Sequence, residues 1–335
     1  MSLQIISAGL LTTIQDTGRN GHQKEGIIVS GAMDALALRI GNLLVGNPEN
    51  AAALEITLLG PQIYFAAEHI ICLTGADLSP EINNNRVKMW RPIRIPKGSL
   101  LQFGKPALGC RTYLSISGSF AINPVLGSYA TYLRAGLGGL NGIPLQAGDI
   151  IPCPGTNATA NNLVRAFNPE DNPNSFISAS WTITSQLYPK YELKPIIRVM
   201  KGPEYNWFKE SSQANFWHYA YRVSPQSDRM GYRLDGTLLF LKEKSELLSG
   251  AVTFGTVQVP AQGNPIILMA DHQTTGGYPG IAQVITADFS TLAQVAPGQN
   301  IFFKEASLSE AQELLFRQEQ RIAQLKSAIN FKLKN

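Results

Sequence analysis

Leu268-Met269-Ala270-Asp271-His272-Gln273-Thr274-Thr275-Gly276-Gly277-Tyr278-Pro279-Gly280 packs an apolar run, an acid, an imidazole, an amide, two threonines, three glycines, a tyrosine and a proline into thirteen positions. This is how a buried strand, here Ile266 to Ala270, breaks into a polar loop with conformationally permissive glycines. A rigid scaffold can use such a loop to present backbone N–H groups and short side chains to a small ligand. A plain surface turn between two strands has the same composition, so the stretch fixes a strand and leaves the loop's role open.

The chain around it repeats that pattern. Short apolar runs bounded by Gly, Pro and Asn occur at Ile63 to Phe65, Ile70 to Thr74, Leu100 to Phe103, Arg111 to Ile116, Ile196 to Met200, Thr253 to Val259 and Asn300 to Phe303. With 30 Gly and 20 Pro as punctuation, the sequence predicts a mainly β protein, barrels or closed sheets rather than a doubly wound α/β sheet. Helical signals are few. Asp34 to Val45 sets Leu36, Ile40, Leu43 and Leu44 on one side and stops at Gly46-Asn47-Pro48. Phe216 to Tyr221 reads as a short helical turn. Ser307-x-x-Glu310 is a capping box opening a long C-terminal helix, with Leu308, Ala311, Leu315, Ile322, Leu325 and Ile329 as its apolar stripe.

Pro154 to Asn174, with TNATANN and NPEDNPN, cannot build a core and reads as an exposed connector. The expected division is a β-rich lobe over 1–155, a connector over 156–190, a second β lobe over 191–305 and a helix over 306–335. A weak internal repeat joins the lobes: Ser30 to Met33 answers Ser227 to Met230, Ile71 to Asp77 answers Ile267 to Gln273, and Lys97 to Phe103 answers Pro297 to Phe303. Two similar lobes would hold a ligand between them, and Asp77 would then share a cleft with Asp271.

Composition narrows the function. At 335 residues and 44% hydrophobic, the chain can bury a sizeable core. A net charge of +4 with no run of five basic residues points away from nucleic acid, and no apolar run approaches the length of a membrane span. Cys72, Cys110 and Cys153 match no zinc spacing, and an odd count without a disulfide framework suits a reducing cytoplasm. The N-terminus lacks the basic segment of a secretory signal. Gly98 to Lys105 misses the phosphate-loop spacing by one residue, Gly136 to Asn141 breaks the dinucleotide fingerprint, and neither G-x-S-x-G nor H-E-x-x-H is present. No metal site and no cofactor of this chain's own is therefore expected.

Four polar clusters remain. Thr12 to Arg19 with Ser30 to Asp34 either closes turns and caps a helix or faces a ligand. Glu55 and Thr57 share one face of a strand, and a carboxylate among apolar neighbours needs a partner, for which Arg39 is a candidate. Arg229 and Arg233 flank Gly231 as planar donor forks suited to a carboxylate or an oxyanion, or as a solvated turn. The opening loop supplies Asp271, His272, Gln273 and Thr274. An Asp that accepts from N–H, a Gln that does both, and Arg with glycine amides suit a compact ligand bearing an amide.

Taken together, TTIQDTGRNG, SGAMDALALRIGNLLVGN, ALEITLLGPQIYF, LTGADLSP, PVLGSYATYLRAGLGG, SDRMGYRLDG, GTVQVPAQGNPIILMADHQTTGGYPGIAQVI and LAQVAPGQNIFF resemble the biotin-dependent carboxyltransferase family, which includes allophanate hydrolase subunit 2, KipA and the C subunit of 5-oxoprolinase. The resemblance spans about Ile5 to Phe303 and implies two β-rich lobes with a cyclophilin-like barrel. It implies an enzyme subunit that opens 5-oxoproline to glutamate with a KipI-like B subunit and an A subunit, ATP being used by the complex. Two alternatives come with it: carboxyl transfer to urea or a related amide from carboxybiotin on a partner, and a KipA-like regulator that binds a KipI-like kinase inhibitor. Joined to the polar inventory, it makes Asp271, Gln273 and Thr274 the catalytic candidates. Arg229, Arg233, Gly276, Gly277, Tyr278 and His272 become substrate-binding candidates, with Asp34, Arg39, Glu55 and Asp77 behind them.

Overall fold

The structure, a computed structural model, describes residues 1–155, 162, 175–243 and 247–334. It divides into two compact units. One comprises Met1–Gly18, Asp34–Pro189 and Glu319–Asn335; the other comprises Arg19–Met33 and Lys190–Gln318. Most of the connector expected over 154–174 lies outside the described residues.

The unit that carries the opening stretch is built on a closed barrel. Its strands run in the order Ile196–Lys201, Gly280–Val284, Thr256–Gln258, Ile266–Leu268, Gly231–Asp235, Tyr221–Val223 and Asn300–Glu305. Neighbours are antiparallel except Ile196–Lys201 with Asn300–Glu305. Closure removes free strand edges, and the period of two turns Val257, Ile267, Ala282, Val284 and Ile301 inward. The helical turn expected at Phe216 to Tyr221 begins earlier, as a helix over Glu210–His218, and Tyr221 opens a strand instead. The sequence signal there is tertiary: Phe216 is fully buried and stacks on Phe303 at 4.5 Å between ring centroids, closing one side of the barrel core.

The other unit holds two six-stranded sheets. In one of them Leu11–Gln15, Ala53–Thr57, Leu108–Ile116 and His69–Asp77 lie side by side. One face carries Ile14, Leu54, Ile56, Leu73 and Leu114 into the hydrophobic core. The register Thr13–Glu55–Tyr113–Thr74 runs a polar row along the opposite face. The helix Ala35–Leu44 covers that face, with Asp34 as its N-cap accepting from Ala37 N at 3.0 Å. Gly41 permits the contact: a Cβ there would lie 2.8 Å from Ser115 Oγ.

The C-terminal helix runs Leu308–Lys334, and Ser307 Oγ accepts from Glu310 N at 3.1 Å as the capping box requires. Of the repeat, Lys97 to Phe103 and Pro297 to Phe303 both lead from a turn into a strand, Leu100–Phe103 and Asn300–Glu305. Ile71 to Asp77 lies within a nine-residue strand, whereas its counterpart leaves the ladder after Leu268. Among the described residues no helix is long and apolar enough to cross a membrane. All three cysteines are buried thiols, and burial raises their pKa values, that of Cys153 to about 11, which leaves them poor nucleophiles.

His69 supplies a test of this unit. It is fully buried beside Phe65, neither ring nitrogen has a hydrogen-bond partner among the described residues, and its pKa falls from 6.5 to about 4. Burial is the main cause and the N-terminal amine adds to it, while Glu68 opposes. The neutral ring is favoured in the fold, so this contribution is complete above pH 6.5 and is lost as pH falls toward 4. Urea unfolding at pH 7.5 and pH 5 should show a loss of about 2 kcal/mol from this residue alone. His69→Phe should flatten that difference, and an undiminished slope in the variant would assign it to other groups.

Candidate functional site

In the barrel unit the strand Ile266–Leu268 pairs with Gly231–Asp235, Gly231 opposite Leu268. Beyond the last pair the two chains stay joined by Met269 N donating to Met230 O at 3.0 Å and Asp271 N to Arg229 O at 2.8 Å. This sets the two side chains face to face. Arg229 Nε donates to Asp271 Oδ2 at 2.9 Å and an Nη to Oδ1 at 3.0 Å, a bidentate pair with both side chains about 95% shielded from solvent. Ser30 Oγ donates to Asp271 Oδ1 at 2.7 Å, and the guanidinium also donates to Gly31 O at 2.5 Å. Ser30 (φ 57) and Gly31 (φ 91) sit in consecutive left-handed conformations, which bend this segment onto the ion pair. Both oxygens of Asp271 are thus engaged, so the acid expected to act on substrate is tied into a buried pair.

The next residue is differently placed. His272 is buried, its Nδ1 lies 2.6 Å from Gln273 O, and burial lowers its pKa below 6.5. A carbonyl oxygen only accepts, so Nδ1 carries the hydrogen and Nε2 keeps its lone pair. Gln273 is exposed and Thr274 half-buried. Thr275–Gly276 forms a two-residue ladder with Gly250–Ala251, and Val252 N donates to Thr274 O. Gly276 leaves room for Gln258: a Cβ would lie 2.5 Å from its Nε2, which donates to Tyr278 O at 3.3 Å. Gly277 and the Tyr278 side chain are exposed. Arg233 lies on the ladder two residues beyond Gly231 with its side chain in solvent, so it does not join Arg229 as a second fork.

In the other unit Glu55 is fully buried, but its partner is not Arg39. Tyr113 Oη donates to Glu55 Oε2 at 2.6 Å and accepts from Asp34 N at 2.8 Å, while Arg111 Nε stands 4.0 Å from Glu55 Oε1. Arg39 instead faces outward to Glu49 and Glu319, at 2.8 and 2.6 Å. The pairing of Arg39 with Glu55 expected from the sequence is therefore wrong, because Arg39 and Glu55 lie on a helix and a strand whose facing row is already filled by Tyr113. Asp77, at the end of the strand His69–Asp77, is held by both oxygens to the exposed Arg86 at 2.7 Å. Asp34 serves as a helix cap. Asp16, in the first polar cluster, accepts from Gly18 N, Ser128 Oγ and Tyr129 N at 2.7 to 2.8 Å and so fastens a loop.

The sequence does not single out Ser30, Arg111 or Tyr113 individually. The signal for the last two is a period of two: Arg111, Tyr113, Ser115 and Ser117 alternate with Thr112, Leu114 and Ile116, marking a strand with a polar face. That all of these polar side chains are buried cannot be read from the pattern.

A family model described as the carboxyltransferase domain, subdomain A and B, matches residues 25–305. The chain belongs to this family. It is similar over almost its full length to the C subunit of 5-oxoprolinase from Escherichia coli K12, 41% identical with 95% of each chain covered. The Haemophilus influenzae protein of the same name is 38% identical, with 98% of this chain and 99% of the relative covered. The urea amidolyase of Saccharomyces cerevisiae is 31% identical over 97% of this chain, which spans only 18% of that protein. Among solved structures, Kluyveromyces lactis urea amidolyase superposes with a TM-score of 0.85 at 28% identity, over 97% of this chain and 20% of that one. Membership places the barrel and its Arg229–Asp271 pair within a carboxyltransferase domain.

Proposed function

We propose that the chain is the C subunit of an ATP-dependent 5-oxoprolinase, acting with partner subunits to open the lactam of 5-oxoproline to glutamate in the cytoplasm. The observation that carries this is the end-to-end correspondence with two proteins so named, each matched over 95% or more of its own length. The yeast urea amidolyase matches at the lower identity of 31%. Carboxyl transfer to an amide from carboxybiotin on a partner is the second reading, favoured by the family model. Both readings assign ATP or biotin to other chains.

The two chemistries share a need: an amide whose oxygen is polarised while a proton leaves water or nitrogen. His272 is the residue for the proton, because its Nε2 lone pair is free of the Gln273 bond and burial keeps the ring neutral near pH 7. Gln273 and Thr274 offer amide and hydroxyl groups to the substrate amide. Asp271, with Arg229 and Ser30, holds the start of the loop rather than taking the proton itself.

The test is reconstitution. The purified chain, its two candidate partner subunits, ATP and 5-oxoproline should release glutamate and phosphate; release only with bicarbonate and a biotinylated carrier would move the assignment to carboxyl transfer. Within the active complex, kcat/KM should fall on the acid side with an apparent pKa below 6.5, since the base must be unprotonated. His272→Gln should lower turnover roughly 100-fold and remove that acid limb. A full acid limb in the variant would exclude His272 as the base.

A further inference from the structure

We propose that a groove in the unit that holds the two sheets seats an acidic, amphipathic segment of a partner subunit, an inference that rests on the chain working within a complex. The groove, about 240 Å³, lies between Trp181–Leu187 and the C-terminal helix from Arg321 to Lys332. Trp181, Leu187, Leu325 and Ile329 form its apolar lining. That volume accepts one or two large apolar side chains rather than a whole domain surface.

Charge decides the occupant. From 320 to 335 the sequence carries Arg321, Lys326, Lys332 and Lys334 and no acid, and from 175 to 191 it carries Lys190 and no acid. Lys326 is matched by Glu49 at 3.4 Å, and Glu319, just before the groove, is taken by Arg39. Arg321 and Lys332 line the groove itself. Arg321 donates to the Gln186 carbonyl, and Lys332 Nζ lies 5.5 Å from the centre of the Trp181 ring; neither contact neutralises the cation. An apolar floor between two such cations repels a basic occupant and leaves a purely apolar one without a match for either charge, so an acidic amphipathic segment fits best. The cations are eleven residues apart on one helix, about 16 Å along its axis. A matching partner helix would place two carboxylates three turns apart on either side of an apolar anchor. Phe331, 72% exposed on the same helix, extends the apolar surface available to it.

The test measures binding of the full chain to each purified partner subunit by titration calorimetry, at low and at physiological salt, with circular dichroism as the folding control. R321E together with K332E should weaken one of these complexes about 10-fold or more and flatten its salt dependence. Leu325→Asp should weaken the same complex. An unchanged affinity in the double variant overturns the groove assignment while leaving the oxoprolinase reading intact. Failure of the unaltered chain to bind either subunit overturns both. Self-association of the chain alone, abolished by the double variant, would overturn the proposal by making a second copy the occupant.

Discussion

Replacing Arg229 with Met is expected to destabilise the protein by about 3–5 kcal/mol, read as a lowered urea midpoint at unchanged slope. The size follows from what the substitution leaves behind. Asp271 would keep Ser30 Oγ as a donor but lose both guanidinium contacts, and Gly31 O would lose its own. With Asp271 and Arg229 at 4% and 5% exposure, water cannot replace those donors. Removing both charges, as Arg229→Met with Asp271→Leu, should recover most of the loss, because a buried pair contributes little beyond an apolar one of similar volume. That double variant also separates holding from chemistry. If the pair only positions the loop, turnover in the reconstituted complex should fall through kcat, while Lys in place of Arg229 restores part of it. A double variant as unstable as the single one would show that Asp271 is not the group left uncompensated.

The pair is legible in the sequence only in part. Asp271 and Arg229 stand out as polar residues at strand ends, and the run of short strands gives the barrel, because alternation and Gly/Pro punctuation are local properties. What alternation cannot convey is which face of a sheet is covered. The register sets Thr13, Glu55, Tyr113 and Thr74 in one polar row, and the helix Ala35–Leu44 covers it. Gly41, whose missing side chain admits that helix, is an ordinary glycine in a helical pattern until the sheet is in place. The need of a buried acid for a partner points from Glu55 to Arg39, a sound need met from elsewhere by a tyrosine. Arg233 fails for the same kind of reason: four positions after Arg229 in a turn and strand, it falls on the outer face of the barrel.

That tyrosine carries the second large effect. Tyr113→Phe should cost about 2–5 kcal/mol, well above the loss of an ordinary hydroxyl, because one oxygen serves two buried groups. It donates to Glu55 and accepts the backbone N–H of Asp34, the residue that caps Ala35–Leu44. Phenylalanine fills the same volume, so packing contributes little to the change and the two lost hydrogen bonds supply it. Tyr221→Phe is the matched comparison: its hydroxyl makes one 3.3 Å bond to the partly buried Thr237 carbonyl, and its removal should cost no more than about 1 kcal/mol. A double-mutant cycle of Tyr113→Phe with Glu55→Leu apportions the effect. Coupling of roughly 1–3 kcal/mol would assign the larger part to the bond with the Glu55 carboxylate. Negligible coupling with the full single-variant loss would assign it to the Asp34 N–H instead, and so to the start of the helix that lies on the polar face of the sheet.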